Sequence, residues 1–392
     1  MPSTNALSAP FEAANLQTIA DRAGVSKSTA YRALRGLPRV SAKTVDRVCA
    51  IAAELGYDPT YQAAASRLAL RKQGRDVRNQ VIALVAPPVY YQTKALAEYM
   101  HGVMAVLNEH GCACLLTPVQ YLSPNLPNAI NLPPVLRRGE VDGVIGVGQI
   151  HLEPLIDMLR NTPGFGKRPV VTANYPMPAC SMVTSQTDEG MYQITRHLLA
   201  LGHRHFLHSC DQHHQWSYKR ACYTGFTRAL YEFGLDPEQH AHYFPVPQEW
   251  TTPHYALDLY GLDAVMPPVV REDHPLLLAL TRHPKVTSYI ASADAWAVRA
   301  WYVLQQVGWR IPEEISIVGY GDTDPMPGPN GGNMLTTVAE DRITLGREAA
   351  HLLLDRINAV FTEAREVAVP TKLAIRASTA PPCERSRHDG AV

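Results

Sequence analysis

Long apolar runs, a disulfide framework and a net surplus of charge are what these 392 residues lack. No stretch approaches the ~18 uninterrupted apolar residues of a bilayer-spanning helix, so no membrane span is expected. The 7 cysteines are an odd number and outline no paired framework, which points to a reducing compartment, the cytoplasm. The opening residues, MPSTNALSAPFEAAN, show no basic stretch followed by an apolar core, so they read as a disordered tail rather than a secretory leader. Lys and Arg number 36 and Asp and Glu 36, so the chain is formally neutral and no uniformly charged surface is expected. There is no glycine-rich phosphate loop ending in Lys, and no Gly-x-Ser-x-Gly nucleophile elbow. No short-period repeat is present, which excludes a solenoid. Neither an enzyme nor a cofactor is expected.

What is present begins with a charge imbalance hidden in the neutral total. Between Gln17 and Arg75 stand eleven Lys and Arg against four Asp and Glu, a surplus of seven, so the remainder is about equally acidic. Segregation of this kind is the electrostatic footprint of a nucleic-acid module joined to another body. The same stretch, from Asn15 to Pro59, reads as three short helices. Leu16, Ile19, Ala20 and Ala23 share a helical face, and Gly24 supplies the freedom for a sharp turn. Ser26 caps a second helix, Lys27 to about Arg35, and Ser41 caps a third whose inward residues are expected to be Val45, Val48, Cys49, Ala52 and Leu55. A glycine turn between two helices, braced by a third, makes a helix-turn-helix. Lys27, Ser28, Thr29 and Arg32 occupy the first two turns of the second helix, the end that enters the major groove, where Arg and Lys donate to guanine O6 and N7. Ser41 and Thr44 stand at another helix start, suited to a phosphate oxygen.

These residues carry a resemblance. LQTIADRAGVSKSTAYRALRG followed by VSAKTVDRVCAIAAELGYDP is similar, without a gap, to the DNA-binding domain of the LacI/GalR family of bacterial transcription regulators. The resemblance implies that Lys27, Ser28 and Arg32 read bases and that Ser41 and Thr44 hold phosphates, with Ala30 and Tyr31 departing from the family's usual Val and Ser. The full expected DNA-contacting set is Gln17, Ser26, Lys27, Ser28, Thr29, Arg32, Arg35, Ser41, Thr44, Tyr57, Arg67 and Leu68. Residues 60–78, alanine-rich and basic, read either as a linker or as the family's hinge helix. In that family an apolar side chain wedges the minor groove from this segment. Here Ser66 takes the wedge position and Leu68 lies two residues late, so either Leu68 wedges from a shifted helix or the DNA is bent differently.

From Gln80 onward, buried β-rich runs (VIALVAP, CACLLTP, DGVIGVG, RPVVTAN, SMVTSQ, KVTSYIAS, ISIVGYGD) alternate with helical stretches. Such alternation predicts parallel sheets covered on both faces. Further landmarks, DEGMYQITRHLLALGHRH, IASADAWAVRA and LTTVAEDRITLGREAAHLLLDRI, extend the resemblance to about residues 16–378. The implied fold class is a small all-α head followed by an α/β periplasmic-binding-protein-like core of two doubly wound subdomains. The expected division is a tail (1–14), the head (15–59), the hinge (60–78), a first subdomain (79–187 plus 317–338), a second (188–316 plus 339–378) and a tail (379–392). Crossings between subdomains are placed near Thr187, near residues 316–322 and near 336–341.

The resemblance further implies an effector in the cleft between the subdomains. Asp294 aligns with an acidic residue that binds effector hydroxyls or amines, and its alternative role is a helix N-cap. The family's effector-binding arginine is replaced here by Cys222, with Arg220 the nearest arginine. Trp250, Tyr90 and Tyr91 are candidates to stack on a sugar face. GHRHFLHSCDQHH is rich in imidazole, yet its spacing matches no compact zinc pattern and no metal is expected. The reading is a cytoplasmic, homodimeric, sequence-specific regulator, a repressor of a pseudo-palindromic operator on double-stranded DNA, tuned by a small polar metabolite. Its alternative is a constitutive DNA-binder whose cleft holds no effector of the family's kind.

Overall fold

Local signals build the head. Helix α1 (Leu16–Ala23) starts where the Asn15 side chain accepts from the amides of Gln17 and Thr18, at 2.9 and 3.0 Å. It ends at Gly24, whose φ of 62° lies in the left-handed region that only glycine enters cheaply. Helix α2 (Lys27–Leu34) follows, with the amide of Thr29 donating to Ser26 Oγ, and helix α3 (Ala42–Glu54) follows Ser41. Ile19, Ala20, Ala23, Ala30, Ala33, Val48 and Ala52 form the core. Alanines at the contacts let three short helices approach closely, while Ile19 and Val48, both without exposed surface, contribute about 1.5–3 kcal/mol each. Cys49, expected inward, is exposed, and Ile51 packs on the core instead. One step along a helix turns a side chain by about 100°, enough to carry position 49 past the edge of the apolar stripe.

The structure, a computed structural model, describes residues 15–34, 38–55, 57, 78–86, 93–118, 120–121, 130–131, 133–137, 140–147, 157, 159–161, 168–174, 176–177, 179–210, 217–247, 271 and 273–383. The chain divides into two units, Met1–Asn79 and Gln80–Val392.

The larger unit holds two six-stranded sheets. The first is ordered β13-β7-β6-β5-β1-β2, from β1 (Val81–Ala86), β2 (Ala113–Pro118), β5 (Gly143–Val147), β6 (Val170–Ala173), β7 (Ser181–Ser185) and β13 (Glu366–Val369). The second is ordered β14-β12-β11-β10-β8-β9, from β8 (Phe206–His208), β9 (Ala241–Tyr243), β10 (Ser288–Ile290), β11 (Ser316–Gly321), β12 (Thr336–Ala339) and β14 (Lys372–Ala374). A short antiparallel pair, β3 (Gln120–Tyr121) and β4 (Ile130–Asn131), stands apart. Every ladder within the two large sheets is parallel except β12 with β14. Strands β1, β5, β6 and β11 are buried along almost their whole length because helices cover both faces, whereas the edge strands β9, β13 and β14 are partly exposed. Helices α4 (Lys94–Glu109) and α9 (Arg342–Ile357) lie on the first sheet; α5 (Thr187–Leu201), α6 (Ser217–Glu232), α7 (Pro275–Arg282) and α8 (Asp294–Gln306) belong to the second. Glycines set the closest helix contacts. A Cβ at Gly102 of α4 would sit 2.0 Å from the carbonyl of Ile343, and one at Gly225 of α6 2.0 Å from that of Asp188.

The interleaving of the halves corrects the expected division. The chain leaves the first sheet after Ser185, returns to it between Ala339 and Arg342, and leaves again between Val369 and Lys372. Residues 316–339 therefore belong to the second sheet, where Ser288 registers with Ser316 and Val318 with Thr336. Helix α9 and β13 belong to the first, so no crossing occurs at 316–322. An evenly apolar strand carries no mark of its neighbours, and only the ladder identifies them. The body also runs past 378: His203 Nε2 meets the carbonyl of Ala380 at 2.9 Å, and Thr379 Oγ1 lies 3.0 Å from His197 Nε2. Among the described residues no helix is long and apolar enough to cross a membrane.

Candidate functional site

On the head, Gln17, Ser26, Lys27, Ser28, Arg32 and Ser41 are exposed, and Thr29, Thr44 and Tyr57 are half-buried. The start of α2 is locked by two hydroxyls: Ser26 Oγ and Thr29 Oγ1 stand 2.8 Å apart while Ser26 Oγ accepts from the Thr29 amide at 3.1 Å. Ser41 and Thr44 repeat the arrangement on α3, at 2.7 and 3.3 Å. Capping in this way fixes the backbone, so Lys27, Ser28 and Arg32 project from a rigid platform. Among the described residues no carboxylate lies within ion-pair distance of Lys27 or Arg32; the head's one such pair is Arg22 with Glu54. Gln17 instead donates to Asp21 Oδ1 at 2.9 Å, and Tyr57 packs against the core. Tyr31, 47 % exposed, stands on the same helix as Arg32. Arg35, Arg67 and Leu68 lie outside the described residues.

In the body, polar side chains converge where the chain passes between sheets. Glu340, between β12 and α9, accepts at Oε1 from Ser185 Oγ (2.7 Å), Asn174 Nδ2 (3.0 Å) and the Tyr320 hydroxyl (3.1 Å). Its Oε2 accepts from Arg342 Nη2 at 2.8 Å. That nitrogen also donates to the carbonyl of Gly321 at 2.7 Å, and Arg342 Nη1 reaches Glu98 Oε2 at 3.4 Å. Asn174 spans further, donating to the Tyr99 hydroxyl at 3.0 Å and accepting from the Ser185 amide at 2.8 Å. The Tyr320 and Thr187 hydroxyls meet at 2.8 Å. None of Glu340, Arg342, Asn174 or Tyr320 was singled out from sequence, although the charged Glu-Asp-Arg run at 340–342, closing an apolar strand, was the available signal.

The expected effector residues fare differently. Asp294 is buried: Oδ1 accepts from Thr337 Oγ1 at 2.6 Å and Oδ2 from the Thr323 amide at 2.8 Å. A Cβ at Gly319 would lie 2.1 Å from Oδ1, so the strand is moulded around this carboxyl. Burial pushes it up to about 7. Nor does Asp294 cap α8; Ala293 holds that position, and Asp294 is the first helical residue. Cys222 is wholly buried with Met191, Phe226 and Tyr320, its thiol raised by burial and by its contact with Cys210. It thus belongs to the core, because a small apolar-tolerant side chain on the inner face of α6 packs there. Arg220, two residues earlier, is exposed, while Lys219 is buried with its Nζ 4.3 Å from the Trp296 ring centroid. Tyr90, Tyr91 and Trp250 lie outside the described residues.

Part of the histidine-rich segment joins others at the β9 edge. His205 stacks on His240 at 4.9 Å, and His242 on His283 at 3.8 Å. Burial and the neighbouring charges hold His205 and His242 below the ordinary imidazole range. Among the described residues no three His, Cys, Asp or Glu side chains are arranged to hold a metal ion. His208 is core, packed 4.9 Å from the Phe226 ring. Asp211, His213 and His214 lie outside the described residues.

Residues 15–60 match the family described as bacterial regulatory proteins, lacI family, and residues 195–379 match the periplasmic binding protein-like domain. Among curated relatives, the HTH-type transcriptional regulator CelR of Thermobifida fusca is 27% identical over 374 residues, 93% of this chain and 97% of that one. The HTH-type transcriptional repressor CytR of Escherichia coli is 24% identical, covering 94% and 96%. The repressor PurR of Haemophilus influenzae is 23% identical, covering 88% and 91%. These relatives are named as regulators, not as enzymes. Two solved structures share the fold: the Lac repressor dimer bound to operator and the anti-inducer ONPF (TM-score 0.62, 19% identity, 94% of this chain and 100% of that one) and a CelR–cellobiose complex (TM-score 0.57, 23% identity, 93% and 99%).

Proposed function

We propose that the chain is a regulator of the lacI family of bacterial regulatory proteins, a cytoplasmic repressor whose paired heads bind a pseudo-palindromic operator. The observation that carries this reading is the free basic end of α2, with Lys27, Ser28 and Arg32 exposed on a helix whose start is locked by Ser26 and Thr29. A rigid helix end presenting donors is what base-edge readout in the major groove requires. A two-fold protein matches a two-fold site, so a homodimer places its second head one turn of duplex away. Ser41 and Thr44 supply hydroxyls at a helix start for a backbone phosphate. The Lac repressor structure in complex with operator and the CelR structure with cellobiose support a body that tunes the head's affinity through a small polar ligand. Such coupling is typically worth about 1–3 kcal/mol.

Selection of bound duplexes from random DNA tests the head. A pseudo-palindrome is expected, with affinity falling steeply as salt rises because phosphate contacts release counterions. In Arg32→Ala, affinity for the selected site is expected to fall about 10- to 100-fold, the worth of one bidentate base contact, with base preference flattened at one position per half-site. Unchanged preference would refute the placement of α2 in the groove.

A second reading, a regulator without an effector of the family's kind, is favoured by the buried Cys222 and by Asp294, whose two oxygens are both occupied within the protein. Titrating operator affinity against sugars and nucleosides separates the two. A ligand-dependent change upholds the tuned repressor, and no response to any upholds the constitutive one.

A further inference from the structure

Glu340 is bonded to residues of both sheets. Asn174 and Ser185, its partners at Oε1, close strands β6 and β7 of the first sheet, and Tyr320, the third, lies on β11 of the second. Arg342, bonded to Oε2, straddles the halves the same way, reaching Gly321 of the second sheet and Glu98 of the first. The Tyr320 hydroxyl meets Thr187, where the first crossing begins, so two of the three crossings are stitched through one carboxylate. A second strap lies alongside: Asp322 pairs with Arg376 at 2.8 Å, and its carbonyl accepts from Lys94 Nζ of α4 at 3.4 Å. Both Asp322 and Asn174 hold left-handed backbone, φ 54° and 57°, which asparagine and aspartate tolerate but do not prefer. The surrounding bonds hold them there.

The energetics give this arrangement two states rather than a continuum. Glu340 is 10% exposed at the side chain and Arg342 5%, so little water solvates either while its partners are in place. A rotation of one half against the other that parts Tyr320 from Asn174 and Ser185 must strip donors from a buried carboxylate, which is costly unless a substitute donor arrives.

We propose that Glu340 is a latch that sets the angle between the two halves of the body, and that it releases only to a molecule offering a hydrogen-bond donor in place of Asn174, Ser185 or Tyr320. The proposal rests on the reading of the body as a module whose halves change their relative angle. It does not require DNA binding.

The test is a distance across the halves in the full-length chain without DNA or ligand, so its failure leaves the head's function untouched. Spin labels are placed at Glu109→Cys on α4 and Gln306→Cys on α8, both exposed, after the five cysteines with exposed surface (Cys49, Cys112, Cys114, Cys180 and Cys383) are changed to serine. Pulsed electron resonance on this parent is expected to give one narrow distribution. Tyr320→Phe and Asn174→Ala each remove one strut and are expected to widen and displace it, and Glu340→Ala to do so most. Glu340→Gln keeps an acceptor for the Oε1 partners and is expected to fall between parent and Glu340→Ala. A merely structural role lowers the melting temperature without moving the distance. A parent-like distribution in Tyr320→Phe and Asn174→Ala would overturn the proposal, and these two carry the test if Glu340→Ala does not fold.

Discussion

Arg342→Ala is expected to lower the unfolding free energy of the body by about 3–5 kcal/mol, the usual cost of removing one partner from a buried ion pair. Burial alone pulls a guanidinium down. Here Glu340, and then Tyr99 and Glu98, more than reverse that effect and hold Arg342 above its ordinary range. The guanidinium is charged at every accessible pH. Truncation would leave Glu340 facing a void, with the Gly321 carbonyl and Glu98 each losing a donor. Arg342→Lys is expected to recover part of the loss, because an ammonium keeps the charge but not the planar fork that reaches three acceptors. Urea unfolding followed by tryptophan fluorescence measures this in the intact chain: all 5 tryptophans (Trp216, Trp250, Trp296, Trp301 and Trp309) lie in the body, so the head is silent. A loss below about 1 kcal/mol, the scale of an exposed pair, would show that water reaches the cluster.

His203 is expected to contribute stability to the body that acid removes. His203 is 1% exposed and fully bonded: Nε2 faces the carbonyl of Ala380, a pure acceptor, so that nitrogen carries the proton. Nδ1 then accepts from Thr287 Oγ1 at 2.8 Å. Both nitrogens are satisfied by a neutral ring, and burial lowers the pKa from 6.5 to about 4. The sign follows from linkage. Between about 4 and 6.5 the unfolded chain binds a proton that the folded chain refuses, so stability is fully present above 6.5 and is lost as pH falls through the folded value. A shift of this size corresponds to about 3 kcal/mol in total, of which about 2 is lost by pH 5. His197, His205 and His242, all lowered by burial, act in the same direction. Asp294, raised to about 7 by burial, binds a proton in the folded chain over the same range and acts against them, so only the comparison with a His203 variant isolates this ring. The measurement is the urea midpoint at pH 7 and pH 5 in parent and His203→Gln. The variant is expected to be weaker at pH 7 and to lose less on acidification; an equal loss in both would remove His203 as the cause.

The head was legible almost residue by residue. Its signals act within a few positions: Gly24 in left-handed conformation, Ser26 and Ser41 before their helices, and an apolar stripe on each helix. Cys49 was misplaced because stripe edges depend on how neighbouring helices are inclined, which no single helix records. The alternation of β-rich and helical stretches announced a layered α/β body, and the runs at 81–86, 143–147 and 316–321 form strands there. Three edge strands were not anticipated. β9, β13 and β14, three or four residues each, are too short to show a period.

Asp294 and Cys222 show what sequence position leaves open. One carboxyl is enclosed by Thr323 and Thr337, and one thiol lies in an apolar cluster. Enclosure is a property of neighbours, and those neighbours are 29 and 43 residues away.

The order of amino acids was thus enough to establish a basic three-helix head, a layered α/β body and the likeness of both to lacI-family regulators, because caps, turns and apolar periods are short-range. Three-dimensional packing alone settled which half owns β11, β12 and α9, and which side chains bind the halves together. Ser185 and Asn174 meet Glu340 across 155 and 166 residues. Desolvation and hydrogen-bond geometry at such separations come into being only when the sheets close.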